Sequence, residues 1–236
     1  GYGLTETSPV IAVNRPGAHK IGTVGKPVEN VEVVIAGDGE ILVRGPSIMK
    51  GYYNLPEATA DAFTEDGYFR TGDVGHLDDE GYLVITDRKK DLLKTSGGKY
   101  VAPQPIENAL KKSNLVSQAI VIGDRRKYCS ALIVPNVDAL EPVCRAKGID
   151  VSSRDAMLSD PRVVEIYMDT VEQLTSDLAR FEQIKKIALL PRELTIEAGE
   201  MTPTLKIKRR VVEERYRDII ESMYEDGAVA AGGAHG

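Results

Sequence analysis

The sequence predicts an α+β protein: a small β-rich, barrel-like subdomain followed by a compact mixed α+β domain. Three observations carry this reading. Residues 22–86 break into short β-rich runs separated by turns. At "DRKKDLLK" (87–94) the texture changes. Beyond it strands and helices mix without strict alternation, which favours a compact α+β domain over a regular βαβ array. The expected divisions are 1–89, 90–225 and a small, Gly-rich, disordered tail at 226–236.

The elements follow in order. In "VEVVIAGDGEILVRG", Asp38–Gly39 separates two β-rich runs, and glycine accepts the positive φ of a tight hairpin turn. "DGYFRTGD" and "DDEGYLVITDR" repeat the style, with an aromatic-rich run after each Gly turn. Pro56 suits the first turn of a short helix over Glu57–Phe63. After the change of texture, Pro103 and Pro105 lead a helix "QPIENALKK", and strands "QAIVIG" and "CSALIVP" follow. Asn136 is placed to cap a helix that Gly148 stops. Asp160 caps, and Pro161 starts, a long amphipathic helix with Val164, Met168, Val171 and Leu174 as its apolar stripe. A strand "KIALLP" and a single final helix "RRVVEERYRDIIESMY" close the domain.

Composition removes several functions. Hydrophobic residues are 42% and charged residues 28% of the 236, as in an ordinary globular chain, and no apolar run reaches the 18 residues a membrane span needs. Cys129 and Cys144 are the only cysteines, without CxxC spacing, so a zinc site or disulfide framework is not expected and a reducing cytoplasm is. No GxxxxGK[ST] occurs and no GxGxxG follows a strand. The net charge of −6 is uneven: residues 88–127 carry 10 basic and 3 acidic side chains, whereas 1–87 carry 6 and 14. A basic island in an acidic chain points to a bound anion more than to nucleic acid, with a solvated lysine-rich face as the plain alternative.

Four polar clusters in loops remain: Thr5–Glu6, "RTGD" at 70–73, "DRKKDLLKTSGGK" at 87–99 and "TPTLKIKRR" at 202–210. Asp73, held after Thr71–Gly72, can accept bonds from the vicinal hydroxyls of a ribose, and Arg88 offers a planar fork to phosphate or ribose oxygens. Glu6 can share Mg²⁺ with triphosphate oxygens, since that ion takes one or two carboxylates plus phosphate. Gly97–Gly98 lets backbone approach a ligand. Lys206, in a loop after Pro203, can reach a developing negative charge. Each cluster alone is more simply a turn, a surface loop or a basic helix start; the order of all four is more specific.

That order resembles the adenylate-forming superfamily of acyl-CoA synthetases, luciferases and peptide-synthetase adenylation domains. The resemblance lies in "YGLTE" (2–6), "GYFRTGD" (67–73), "GYLVITDRKKDLLKTSGGKYVAPQPIE" (81–107) and "PTLKIKR" (203–209), and covers the chain to about residue 225. "DLLKTSGGKYVAPQPIE", "TPTLKIKR" and the long stretch between "ALIVP" and "IALLP" look like its long-chain fatty acyl-CoA synthetase branch.

The resemblance implies roles. Tyr2 would lie against adenine, Thr5 would touch the α-phosphate and Glu6 would help hold Mg²⁺. Asp73 would bind the ribose hydroxyls, with Ile85 and Arg88 completing the nucleotide's surroundings. Lys90 would be the hinge of a mobile C-terminal domain (90–225), and 1–89 the last β subdomain of the larger domain. Lys206 would contact the carboxylate and α-phosphate. Gly97, Gly98 and Lys99 would serve CoA, whose phosphates the basic island around Lys99, Arg125, Arg126 and Lys127 would suit. Many relatives have glycine before the catalytic lysine; Leu205 stands here.

The implied reaction joins a fatty acid to CoA with ATP through an acyl-AMP. Alternatives within the superfamily are an acyl-AMP ligase and a synthetase for shorter acids; outside catalysis, a non-catalytic CoA- or nucleotide-binding module. The resemblance also implies that an N-terminal partner domain is missing, that the fragment alone is nearly inactive, and that Tyr2, Thr5 and Glu6 are poorly ordered here. Peripheral contact with the inner face of a membrane is compatible with a lipid substrate, and the oligomeric state is not legible.

Overall fold

A computed structural model of the chain describes residues 1–225, which divide into two compact units, one spanning Gly1–Leu92 and the other beginning at Leu93. The expected tail at 226–236 lies outside the described residues.

The first unit is built on two antiparallel sheets. Strands β1 (Tyr2–Gly3), β2 (Val10–Val13) and β3 (Lys26–Pro27) form one, in that order. Strands β4 (Glu32–Ile35), β5 (Glu40–Arg44), β6 (Phe69–Leu77) and β7 (Leu83–Arg88) form the other, a meander with helix α1 (Pro56–Asp61) between β5 and β6. The sheets join where Val24 N–H donates to the Leu83 carbonyl (2.9 Å) and Leu83 N–H to that of Gly25 (2.8 Å). Gly25 is required there: its φ is +97°, and a Cβ would lie 1.9 Å from the Val13 carbonyl carbon. Ile11, Ile41, Val43, Phe69 and Leu83 fill the single core of this curled, barrel-like unit.

The expectation of a poorly ordered start is corrected. Tyr2 and Gly3 pair with Ala12 and Val10, and residues 5–7 form a 3₁₀ turn. Buried Thr7 holds the turn, its hydroxyl bonding the Pro9 and Leu4 carbonyls at 2.5 and 3.0 Å. These bonds come from within the chain, so the segment does not wait for a wall elsewhere.

The second unit has three layers. Strands β8 (Leu93–Lys94) and β9 (Tyr100–Val101) make a hairpin, followed by helix α2 (Pro103–Leu110). The central sheet runs β10 (Val116–Ile122), β11 (Cys129–Pro135), β12 (Ile184–Leu189), antiparallel then parallel. Between β11 and β12 come α3 (Val137–Ala146), α4 (Arg154–Ser159) and α5 (Pro161–Thr175); after β12 come α6 (Arg209–Arg215) and α7 (Arg217–Tyr224). All seven residues of β11 are buried because both sheet faces are covered. Ala119, Val121, Ala131 and Ile133 meet Ile106, Leu110, Leu140, Val163 and Tyr167 on one side. Ile120, Ile122, Leu132 and Val134 meet Val212, Ile220 and Met223 on the other.

Four expectations are revised. The stripe of α5 that is fully buried is Val163, Tyr167, Val171 and Thr175, with Val164 and Met168 only partly buried. Tyr167 can be core because its hydroxyl donates to the Leu115 carbonyl (2.7 Å). Asn136 does not cap α3 with its side chain; its amide donates to the Asn114 carbonyl instead. Helix α4, capped by Ser153 accepting from Ala156 N–H at 3.1 Å, is short and was not expected. The final helix breaks at Tyr216 (φ −103°, ψ 25°) into two. Among the described residues no helix is long and apolar enough to cross a membrane.

Candidate functional site

Strand pairing builds the first cluster. Asp73 on β6 lies opposite Arg88 on β7, and its buried carboxylate forms an ion pair with Arg88 Nε (3.1 Å) and accepts from the Tyr2 hydroxyl (2.6 Å), 71 residues away in sequence. Burial, and then the Asp73 bond, push the Tyr2 phenol above its ordinary value, so it remains a donor at neutral pH. Ile85, on the same strand as Arg88, packs against the unit's core.

The "RTGD" cluster, expected in a loop, is instead a bulged stretch of strand β6, and it is held from beneath. Thr71 Oγ1 donates to the Ile41 carbonyl (2.7 Å) and accepts from Asp73 N–H (3.1 Å). Gly72, at φ +70°, donates its N–H to Glu40 Oε1 (3.2 Å). Glu40 is itself buried and its other oxygen pairs with Lys89 Nζ (2.7 Å) and Arg70 (3.5 Å); Lys89 also reaches Asp38 (2.7 Å). One carboxylate therefore ties the "RTGD" stretch of β6 to the residue just before Lys90, which is exposed in the 3₁₀ turn Lys89–Asp91. Glu6 Oε1 accepts from the Tyr52 hydroxyl (3.1 Å), and the Glu6 carbonyl accepts from Met49 N–H (2.8 Å); Thr5 is exposed beside it. Among the described residues no three His, Cys, Asp or Glu side chains gather as a metal site.

In the second unit the glycine hairpin and the arginine turn meet. Ser96 N–H donates to the Arg126 carbonyl (2.9 Å), Arg125 N–H to that of Lys94 (2.7 Å), and Lys94 N–H to Asp124 Oδ1 (3.1 Å). Gly98 adopts φ +77° with open space where a Cβ would point, so its requirement is conformational; Gly97 likewise has nothing closer than 4.0 Å. Lys99 Nζ stands 5.9 Å from the Phe181 ring centroid. Arg126 is already engaged, gripping Glu221 with two bonds (2.8 and 2.5 Å) and stacking on Tyr224. Arg125 and Lys127 are exposed.

Lys206 stands on its own tight hairpin. Thr202 N–H donates to the Lys206 carbonyl (2.8 Å), Lys206 N–H to Thr202 Oγ1 (3.0 Å), and Met201 bridges Ile207. Leu205 lies at φ +60°, the left-handed region, where glycine is at ease and leucine is strained. The Lys206 ammonium is exposed, with no hydrogen-bond or ion-pair partner among the described residues. After the hairpin, Arg209 donates to Glu107 Oε1 (2.6 Å) and to the Val121 carbonyl, while Val121 N–H donates to Glu107 (2.9 Å). The "PQPIE" and "KIKR" segments are thus joined through one partly buried ion pair.

Of the residues singled out in the sequence, Tyr2, Asp73 and Arg88 converge, as do the Gly97–Lys99 loop and Arg125–Arg126. Sequence reasoning missed Tyr52, Glu40 and Glu107. Glu40 had no signal: alternation along β5 sends Ile41 and Val43 to the core and Glu40 to the opposite face, so its burial comes from the partners packed there.

A family model described as "AMP-binding enzyme C-terminal domain" matches residues 90–228, and one described as "AMP-binding enzyme" matches residues 1–53. The chain belongs to the AMP-binding enzyme family. Within it, the chain is 42% identical over 226 residues to the long-chain-fatty-acid–CoA ligase FadD15 of Mycobacterium bovis, covering 95% of this chain and 37% of that protein. It is 34% identical over 249 residues to the long-chain-fatty-acid–CoA ligase ACSBG1 of Rattus norvegicus, covering 96% of this chain and 34% of that protein. The chain therefore spans little more than a third of the length of these relatives. Among solved structures it resembles the A-PCP didomain of a carboxylic acid reductase from Segniliparus rugosus in complex with AMP, with TM-score 0.67 and 28% identity over 95% of this chain and 30% of that one. ATP-bound MatB from Rhodopseudomonas palustris is a second neighbour in fold, with TM-score 0.61 and 27% identity over 92% of this chain and 40% of that one.

Proposed function

We propose that the whole protein carrying this chain is an ATP-dependent long-chain fatty acid–CoA ligase. The observation that carries the reading is the convergence of Tyr2 and Arg88 on the Asp73 carboxylate, in a chain 42% identical to a protein named as such a ligase. The fatty carboxylate attacks the α-phosphorus of ATP, diphosphate leaves with the electron pair of the broken P–O bond, and acyl-AMP results. The thiol of CoA then attacks the acyl carbon, AMP leaves, and the thiol proton is released.

Within this scheme Asp73 takes the ribose hydroxyls, Arg88 and Ile85 flank the nucleotide, and Tyr2 lies against adenine. Thr5 meets the α-phosphate. A lone carboxylate such as Glu6 fits Mg²⁺ only together with substrate phosphates, and the ion supplies charge neutralisation at those oxygens. Lys206, exposed on its hairpin, reaches the carboxylate and α-phosphate during adenylation. Residues 1–89 serve as the last β subdomain of a larger domain and 90–225 as a mobile domain turning at Lys90, which withdraws Lys206 and brings Gly97, Gly98 and Lys99 to the thiol. Fixing Lys89 to Glu40 and Asp38 leaves Lys90 as the first unanchored residue, which supports that pivot. The two free, buried thiols suit a cytoplasmic location.

ATP–diphosphate exchange dependent on a long-chain fatty acid, followed by acyl-CoA formation, tests the reading in the whole protein. Exchange that needs an acid but transfer that ignores CoA would replace it with an acyl-AMP ligase. Asp73→Ala is expected to lower AMP affinity about 10-fold or more, through the loss of charge-assisted bonds.

A further inference from the structure

The hairpin that bears Lys206 has an anchor that none of the motifs contains. Glu200 is fully buried at its base, and five donors from outside the hairpin converge on its carboxylate. Arg192 gives two bonds (2.9 and 2.7 Å), Arg215 one (2.8 Å), Thr195 N–H one (3.3 Å) and the Tyr216 hydroxyl one (3.3 Å). Its main-chain oxygen accepts from Lys208 N–H (2.7 Å), on the returning arm of the same hairpin. The tip holds itself weakly: residues 203–206 are exposed, and Leu205 is strained. An exposed turn of this kind keeps one geometry only if its stem is fixed.

We propose that Glu200 is a positioning residue for Lys206. Its side chain is locked by the turn at 192–195 and by the break between α6 and α7, and its carbonyl sets the height of the returning arm. Lys206 is thereby presented at a fixed place for the adenylation step. The inference rests on Lys206 being the adenylation lysine. A positioning Glu200 would spare thioester formation, because the glycine hairpin used there is built from other contacts, whereas a merely structural Glu200 would affect both half-reactions alike.

The test measures the half-reactions separately in the whole protein. ATP–diphosphate exchange reports adenylation, and CoA consumption from pre-formed acyl-AMP reports thioester formation. Lys206→Ala, Glu200→Gln and the double variant are compared with the parent. Glu200→Gln is expected to slow adenylation by about 10- to 100-fold, the scale of a misplaced catalytic group, with thioester formation within about twofold. The double variant is expected to be no slower than Lys206→Ala. If Glu200→Gln does not fold by circular dichroism, Arg192→Met removes one half-exposed leg of the anchor and is expected to show the same selectivity with a smaller fall. Equal loss in both half-reactions, unchanged adenylation, or full additivity with Lys206→Ala overturns the inference. Undiminished adenylation in Lys206→Ala overturns the role of the lysine itself, whatever Glu200 does.

Discussion

At the scale of single residues, two positions carry strain or charge that a substitution can read out. Leu205 occupies the left-handed region, and Leu205→Gly removes a penalty of about 1–2 kcal/mol while returning part of it as unfolded-chain entropy. A net stabilisation of about 0.5–1 kcal/mol is expected, seen as a higher urea midpoint with an unchanged slope. A fall in the midpoint would show that the exposed leucine makes a contact that outweighs the strain. Tyr2→Phe removes a donor from the buried Asp73 carboxylate, with an expected loss of about 1–2 kcal/mol by the same measurement. Neither effect was legible beforehand. The departure at Leu205 was visible as a missing glycine, but its φ was not, and Tyr2 and Asp73 are brought together only by pairing of strands distant in the chain.

At the scale of elements, what was legible was whatever has a local cause. The hairpin at Gly39, the Pro-led helices α1 and α2, the Asp160 cap and the all-apolar run of β11 each announce themselves within a few residues. The errors have tertiary causes: Tyr167 is core because Leu115 supplies an acceptor, and the last helix breaks where Tyr216 turns toward Glu200. Strand β11, between two strands and two helix layers, should be the least tolerant element. Ile133→Ala is expected to cost about 2–5 kcal/mol, checked by thermal and urea unfolding. The Glu107–Arg209 pair ties α2, β10 and α6 together with both side chains mostly buried, so Arg209→Met leaves Glu107 without its cation. A loss of about 2–3 kcal/mol is expected, below the full cost of orphaning a fully buried charge.

Across the whole molecule, each unit places one buried carboxylate behind a segment proposed to act on substrate: Glu40 beneath Thr71–Asp73 of β6 and Glu200 beneath the Lys206 hairpin. Burial opposes ionisation of Glu200, but the bonds from Arg192 and Arg215 prevail and hold its carboxyl at about 2. Its folded value is below its unfolded one, so the stabilisation is fully present above pH 4.5 and is lost as pH falls toward 2. Acid unfolding followed by circular dichroism should therefore steepen in that window for the parent chain and be flatter for Glu200→Gln; identical slopes would remove Glu200 as the source. Composition disclosed neither glutamate, since each is one acid among 36 and neither belongs to a motif. The Asp73 cluster has a different consequence. With Tyr2 on one oxygen and Arg88 beside the other, that carboxylate is held in place yet keeps acceptor capacity on both oxygens. On the proposed role of Asp73, an arriving ribose adds its two hydroxyl bonds to a group that has no orientation left to lose. A sugar lacking one hydroxyl forfeits one of those bonds, so the ribose takes part in deciding which nucleotide is admitted.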